Sequence, residues 1–291
     1  MKICDNRVVI ITGAGGGLGR AYALAFAAEG AKVVVNDINR DAALAVVGDI
    51  LGQGGSAVAN SDDITRYDSA GLIVRQAIET FGDLNVVVNN AGICRDRMFA
   101  SLSEADWDAV VAVHLKGHFC ISSHAVKYWR EQAKGGARVD ARIINTSSGA
   151  GLQGSIGQSN YAAAKGGIAS LTLVQAAELR RYGITANALA PAARTGMTEQ
   201  VFADTMKKPE EGFDYFAPEN VAPLVVWLGS EASAEVTGQM FEVEGGKLSI
   251  ADGWRRGPQL DRQGRWAVGE MGDAVAQLLT QAVPAAKVYG S

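Results

Sequence analysis

Val8-Val9-Ile10-Ile11-Thr12-Gly13-Ala14-Gly15-Gly16-Gly17-Leu18-Gly19 is a β-branched run that breaks into glycines and then enters an apolar helical pattern reaching about Glu29. A short apolar run bounded by glycine reads as a strand buried on both faces. Glycines let the backbone turn tightly and approach a neighbouring group closely. A helix starting directly behind them aims unpaired N–H groups and its positive dipole end at an anion. The spacing of Gly13, Gly17 and Gly19 is G-x-x-x-G-x-G, which departs from the standard G-x-G-x-x-G. A glycine-rich loop by itself is also what a tight turn looks like. Its place between a first strand and a first helix points instead to a pyrophosphate site formed by Gly13, Gly17, Leu18 and Gly19.

Outward from this stretch, strands and helices alternate. Lys32–Asn36, Ala57–Ala59, Leu84–Val88, Arg142–Asn145, Thr185–Leu189 and Met240–Val243 read as strands. Helical patterns cover Arg40–Leu51, Tyr67–Phe81, a long stretch from about Glu104 to Gln132, Asn160–Arg181 and Glu219–Leu228. Alternation of this kind requires crossover connections and a parallel sheet. The expected fold is a single doubly wound α/β domain of the Rossmann type, with about seven parallel strands and helices on both faces. Residues 1–249 form the binding and catalytic domain, with 192–218 as a loop over the substrate. Residues 250–291 extend the same domain and hold one amphipathic helix from about Glu270 to Ala282. No internal repeat is visible.

The 291 residues have an ordinary globular composition and are long enough to bury a substantial core. A net charge of -4 argues against nucleic acid, which needs a basic footprint. Cys4, Cys94 and Cys120 are widely spaced, with no CxxC pair, so neither a metal site nor a disulfide framework is expected. No stretch approaches the roughly 20 apolar residues of a membrane span, and the strand at Val8 leaves no room for a signal peptide. The expectation is a soluble cytoplasmic protein with no membrane partner.

Asp37 ends the second strand, 18 residues past Gly19. A carboxylate there accepts both adenosine ribose hydroxyls and repels a 2′-phosphate, which predicts NAD over NADP. The alternative is a cap on the helix near Arg40. Asp63 follows the third strand, either within reach of the adenine amino group or capping the next helix. Asn89-Asn90-Ala91-Gly92 ends the fourth strand, in the crevice where this fold binds ligands. Asn90 fixes backbone there, and Ala91 and Gly92 leave room for the cofactor.

Tyr161 and Lys165 lie four apart at the start of a helix and share one face. A free phenol has a pKa of about 10, too high for a good base at neutral pH. A neighbouring ammonium, the helix N-terminus and an oxidised nicotinamide all favour the phenolate, so Tyr161 is expected to act as general acid or base. Ser148, 13 residues upstream at the end of the fifth strand, is placed to hold the substrate oxygen.

Together, Thr12-Gly13-x-x-x-Gly17-x-Gly19, Asn89-Asn90-Ala91-Gly92, Ser148 and Tyr161-x-x-x-Lys165 resemble the short-chain dehydrogenase/reductase family over about residues 5–247. The resemblance implies hydride transfer at the nicotinamide C4, with Lys165 also binding the nicotinamide ribose and Pro191 and Thr195 beside the cofactor. Gly19-Arg20-Ala21-Tyr22-Ala23-Leu24-Ala25-Phe26, Arg95-Asp96-Arg97-Met98-Phe99 and Val113-His114-Leu115-Lys116-Gly117 are similar to the dehydrogenase part of peroxisomal multifunctional enzyme type 2. That likeness implies an NAD-dependent (3R)-3-hydroxyacyl-CoA or 17β-hydroxysteroid dehydrogenase, related to actinobacterial enzymes of steroid side-chain degradation. Two rivals are an NADPH-dependent 3-oxoacyl reductase of biosynthesis and a catalytically silent nucleotide-binding regulator.

The chain departs from the family in two places. His114 stands where many members carry an asparagine of the proton relay; it serves through its backbone carbonyl, titrates itself near neutral pH, or simply packs. Pro191-Ala192 replaces the usual proline-glycine. Arg95, Arg97 and Arg194 flank the cleft, either for CoA phosphates or paired with nearby acids such as Asp96. Phe202, Met206, Phe213, Tyr215 and Phe216 make residues 192–218 apolar enough to close over a substrate or to pack on a partner subunit. Relatives dimerise through the long helices, so a homodimer or homotetramer is expected, with the tail 250–291 available to embrace a neighbour.

Overall fold

The computed structural model describes residues 2–196, 206–253, 255–284 and 286–288. Strand β1 (Val8–Thr12) leads through the glycine loop to helix α1 (Gly17–Ala28), then β2 (Lys32–Asn36), α2 (Arg40–Gly52), β3 (Ser56–Asn60), α3 (Tyr67–Phe81) and β4 (Val86–Asn89). Next come α4 (Glu104–Val111), α5 (Gly117–Lys134), β5 (Ala141–Thr146), a short α6 (Gly149–Gln153), α7 (Ser159–Leu179) and β6 (Ile184–Ala192). Helix α8 (Ala222–Gly229), β7 (Met240–Glu244), β8 (Lys247–Ile250) and α9 (Met271–Gln281) complete the described chain.

The strands form one sheet in the order β3-β2-β1-β4-β5-β6-β7-β8. All pairings are parallel except β7 with β8. Every residue of β1 is buried, because alternate side chains feed two cores. Val9 and Ile11 pack with Phe26, Val46 and Val225 on one face. Val8 and Ile10 pack with Ile73, Ile121 and Ile143 on the other. Each such aliphatic side chain contributes about 1.5–3 kcal/mol on burial. The sheet order reverses between β1 and β4, which opens a crevice at the carboxyl ends of the strands. The glycine loop, Asn90 and Ser148 all follow strands that end there.

The sheet has eight strands among the described residues, one more than expected. Glu244 and Lys247 flank a two-residue turn with Gly245 at φ 53°, and β8 folds back antiparallel on β7. Its four residues are all exposed, so it lacks the continuous apolar run by which its neighbours are recognised. The stretch expected as one long helix is three pieces. A π-helical turn over Ala112–Lys116 separates α4 from α5 and carries His114. Such turns commonly reshape a helix at a functional site. In the expected loop 192–218, Phe202 lies outside the described residues, as does Trp254 in the tail.

Candidate active site

The glycine loop is built by close packing. A Cβ on Gly13 would stand 2.7 Å from the Ala91 Cα, and one on Gly19 would stand 2.2 Å from the Gly13 carbonyl oxygen. Asn90 completes this corner: its Nδ2 donates to the Thr12 and Gly13 carbonyls at 3.0 and 3.1 Å. Thr12 Oγ1 in turn accepts the backbone N–H groups of Asn90 and Ala91. A Cβ on Gly16, by contrast, would meet nothing within 4 Å. Helix α1 starts at Gly16 with no side-chain cap and no acidic residue in its first turn. Its first N–H groups and positive end are therefore unopposed, and this donor set fits a pyrophosphate.

Asp37 is half-buried at the end of β2 and belongs to the same loop. Its Oδ2 accepts the Gly15 N–H and its Oδ1 the Asn39 N–H, both at 2.9 Å. The side-chain cap of α2 is Asn39, which accepts from Ala42 N. Each Asp37 oxygen keeps accepting capacity for hydroxyls. Asp63 Oδ1 accepts from the backbone and hydroxyl of Thr65, both at 2.8 Å, closing a turn ahead of α3.

At the chemical end, Ser148, Tyr161, Lys165, His114, Asn90, Gly92, Leu18, Pro191 and Thr195 line one cavity of about 150 Å³. Ser148 sits where β5 gives way to α6, and its hydroxyl hydrogen-bonds the Tyr161 phenol. Lys165 Nζ donates to the Thr146 carbonyl at 2.6 Å and lies 5.5 Å from the Tyr161 ring centre.

The electrostatics differ from the expectation in one respect. Burial pushes the Tyr161 phenol up, the Cys94 thiol adds to the rise, and the Ser148 hydrogen bond opposes it. Burial also pulls Lys165 down to about 7, so a full ammonium is not in place to favour the phenolate. Burial opposes the charged form of each group.

His114 is fully buried, with its Nε2 2.8 Å from the Ile93 carbonyl oxygen. Burial, with the nearby Lys165, pulls its pKa down to about 3. The imidazole is neutral at physiological pH, which closes the route in which it titrates near 7. Its ring meets Tyr161 edge-on at 5.1 Å, and its Nδ1 is buried without a partner. Gly92 is required here, since a Cβ would stand 2.4 Å from the His114 ring.

Several residues at the site escaped the sequence reading. Asn160, fully buried, donates to the Arg95 carbonyl at 3.1 Å and accepts the Tyr161 N–H at 2.8 Å. It ties the first turn of α7 to the loop after β4. Asp96 accepts from Gln158 Nε2 at 2.9 Å, and Cys94 lines the cavity. No motif marks Asn160 or Gln158, whose partners Arg95 and Asp96 lie 65 and 62 positions away; Asp96 was read only as a partner for the flanking arginines.

A larger cleft of about 710 Å³ adjoins the cavity and shares Ser148, Asp96, Gln158, Pro191 and Ala193 with it. Met206 and Phe216 line it. Of the three arginines, two pair with acids: Arg95 reaches Asp106 at 4.0 Å, and Arg194 forms an ion pair with Asp214 and donates to the Met206 carbonyl at 2.9 Å. Arg95 and Arg97 are exposed and donate to the adjacent Cys94 and Asp96 carbonyls.

The profile of the short chain dehydrogenase family matches residues 7–206. A crystal structure of a short chain dehydrogenase from Mycobacterium avium is 58% identical, with a TM-score of 0.92 over 99% of this chain and 100% of that one. Hydroxyacyl-CoA dehydrogenase ChsB1 of Mycobacterium tuberculosis is 46% identical over 253 residues, 84% of this chain and 80% of that protein. Peroxisomal multifunctional enzyme type 2 of Mus musculus is 46% identical over 251 residues, 83% of this chain and 32% of that longer protein. A 3-oxoacyl-[acyl-carrier-protein] reductase of Synechocystis sp. is 39% identical over 251 residues, 85% of this chain and 99% of that one. The glycine loop, the Ser148/Tyr161/Lys165 cavity and these matches converge: the chain belongs to the short-chain dehydrogenase family and is an oxidoreductase acting on CH–OH groups with a nicotinamide dinucleotide.

Proposed function

We propose that the protein is an NAD-dependent dehydrogenase whose substrate is a (3R)-3-hydroxyacyl-CoA or a 17β-hydroxysteroid. The observation that carries the choice of NAD is the Asp37 carboxylate, held against the glycine loop by the Gly15 N–H. A 2′-phosphate brought to that corner meets a negative charge, while ribose hydroxyls meet acceptors.

In this reading Ser148 donates to the substrate oxygen, and Tyr161 takes the carbinol proton as the C–O bond gains double-bond character. Lys165, held by the Thr146 carbonyl, bears the compensating charge and the ribose hydroxyls. The bound nicotinamide supplies the hydride acceptor at C4. Asn160 holds the first turn of α7, so the phenol is already positioned. His114 contributes through its packing on Tyr161 and its place in the π-helical turn, as a neutral group.

The test is NADH formation from a panel of 3-hydroxyacyl-CoAs and 17β-hydroxysteroids, run in parallel with NADP. Turnover with NAD supports the reading. Turnover only of sugars or polyols overturns the substrate class, and a strong preference for NADPH favours the biosynthetic 3-oxoacyl reductase.

The reading includes a cytoplasmic homodimer or homotetramer. Phe119 on α5 and Leu173 and Val174 on α7 are each more than half exposed. Helix α9 buries no residue, although Met271, Val275 and Leu279 make one apolar face. Apolar surface of this kind marks contact with another chain. No described helix is long and apolar enough to cross a membrane. Sedimentation at several concentrations, with and without residues 251–291, checks the assembly and the tail's part in it.

A further inference from the structure

The hairpin of β7 and β8 has two chemically different faces. Its register pairs Phe241 with Ile250 and Val243 with Leu248, all apolar and all on one face. It pairs Glu242 with Ser249 and Glu244 with Lys247 on the other. This polar face lines the 710 Å³ cleft that also holds Ser148, and Glu242 on β7, paired with Ala190 of β6, stands two strands from β5, which Ser148 follows. Much of the remaining lining is apolar: Ile156, Ala190, Ala192, Met206 and Phe216. The volume suits a small-molecule substrate of substantial size.

The groups on the polar wall are unequally engaged. Glu244 accepts from the Tyr215 hydroxyl at 3.0 Å and from Lys247 Nζ at 3.2 Å. Lys247 Nζ also lies over the Tyr215 ring at 5.6 Å. Glu242 is half-buried, and its carboxylate has no side-chain or backbone hydrogen-bond partner among the described residues. Ser249, directly opposite on β8, likewise leaves its hydroxyl uncommitted among the described residues. A carboxylate in this position can only accept hydrogen bonds. Partly removed from water, it rewards a ligand group that donates to it and penalises one that presents only lone pairs.

We propose that Glu242, with Ser249 beside it, is a specificity-determining subsite that selects substrates carrying a hydrogen-bond donor at the end remote from the reacting carbinol. The ligand class is an elongated secondary alcohol or ketone with an apolar body and a distal hydroxyl. The proposal rests on the dehydrogenase reading above, because it takes Ser148 and Tyr161 as the reacting end. It adds an orientation. Glu242, Glu244 and Asp96 make the cleft acidic, with Lys247 its one described cation, so phosphates of an acyl-CoA stay outside while the acyl part enters.

The experiment uses two 17-ketosteroids of the same rigid skeleton, one with a 3-hydroxyl and one with a 3-keto group. Reduction by the full chain with NADH is compared for wild type, Glu242→Gln and Glu242→Leu, each checked for an unchanged circular dichroism melt. Wild type should favour the 3-hydroxyl compound by about tenfold or more in kcat/KM, mainly through KM. Glu242→Leu should bring the ratio near one, and Glu242→Gln should leave an intermediate ratio, because its amide both accepts and donates. A wild-type ratio within about twofold of unity, or a ratio unaltered in Glu242→Leu, overturns the proposal. Calorimetric titration of both ketones into the same three proteins reads the same ratio without chemistry. Loss of turnover with the binding ratio intact counts against the dehydrogenase reading alone, and no binding of the 3-hydroxyl compound overturns the subsite.

Discussion

The Nζ of Lys165 and the ring of Tyr161 are 5.5 Å apart and line the same cavity, the lysine buried and the tyrosine half-buried. Burial moves them in opposite senses, the lysine to about 7 and the phenol upward. The consequences separate into measurements of activity and of stability.

Tyr161→Phe keeps the ring against His114 and removes only the hydroxyl. The kcat is expected to fall by about 10²–10⁴, while calorimetric affinity for NAD stays close to wild type. An active Phe variant would assign the proton transfer to another group.

Lys165 has its pKa lowered from the ordinary lysine value to about 7. Between pH 7 and the unfolded-state pKa of about 10.4 the unfolded chain binds the extra proton, so the contribution of this lysine to stability rises with pH across that window, opposed above about pH 9 by the raised Cys4 and Cys94 thiols. Below pH 7 the penalty is complete and constant. The shift corresponds to an upper bound of about 5 kcal/mol. The upward shift of Tyr161 acts only above pH 10, outside this window. Urea unfolding at pH 7 and pH 8.5 should show the rise, and Lys165→Met should flatten it; equal slopes in the two proteins would contradict the burial argument.

Asp37→Ser removes the charge and shortens the acceptor that holds the Gly15 N–H. The kcat/KM with NAD should drop at least about tenfold, while that with NADP rises because the repulsion is gone. Steady-state kinetics with both cofactors checks this, and an unchanged preference would move the determinant elsewhere.

Gly19→Ala places a Cβ 2.2 Å from the Gly13 carbonyl and 2.7 Å from Asn90 Nδ2. Backbone cannot step aside as a flexible side chain would, so the loop must open. A stability loss of about 1–3 kcal/mol is expected, together with weaker cofactor binding. Gly16→Ala, with nothing within 4 Å of its Cβ, should preserve the melting temperature.

The sheet was largely legible because β1, β2 and β4 are short runs of valine and isoleucine between turn residues, and burial on both faces demands that composition. Strand β8 was not, since one polar and one apolar face on an exposed edge look like a loop. The π-helical turn at His114 left no mark either, because its residues are ordinary helix formers and its contacts with Gly92 and Ile93 lie about 21 positions away in the chain. Arg194 was legible only as a cation near the cleft. Its partner, Asp214, lies 20 residues further along the chain.

By itself the sequence determined the order of elements, the glycine loop and the four-residue spacing of Tyr161 and Lys165. These are local properties, set by backbone sterics and helical periodicity. Only the tertiary structure decided the direction in which burial shifts that pair, the neutrality of His114, the anchoring of α7 by Asn160 and the acidic wall carried by Glu242. Each of these depends on desolvation or on contacts between residues far apart in the chain, and neither is written in the spacing of residues along one segment.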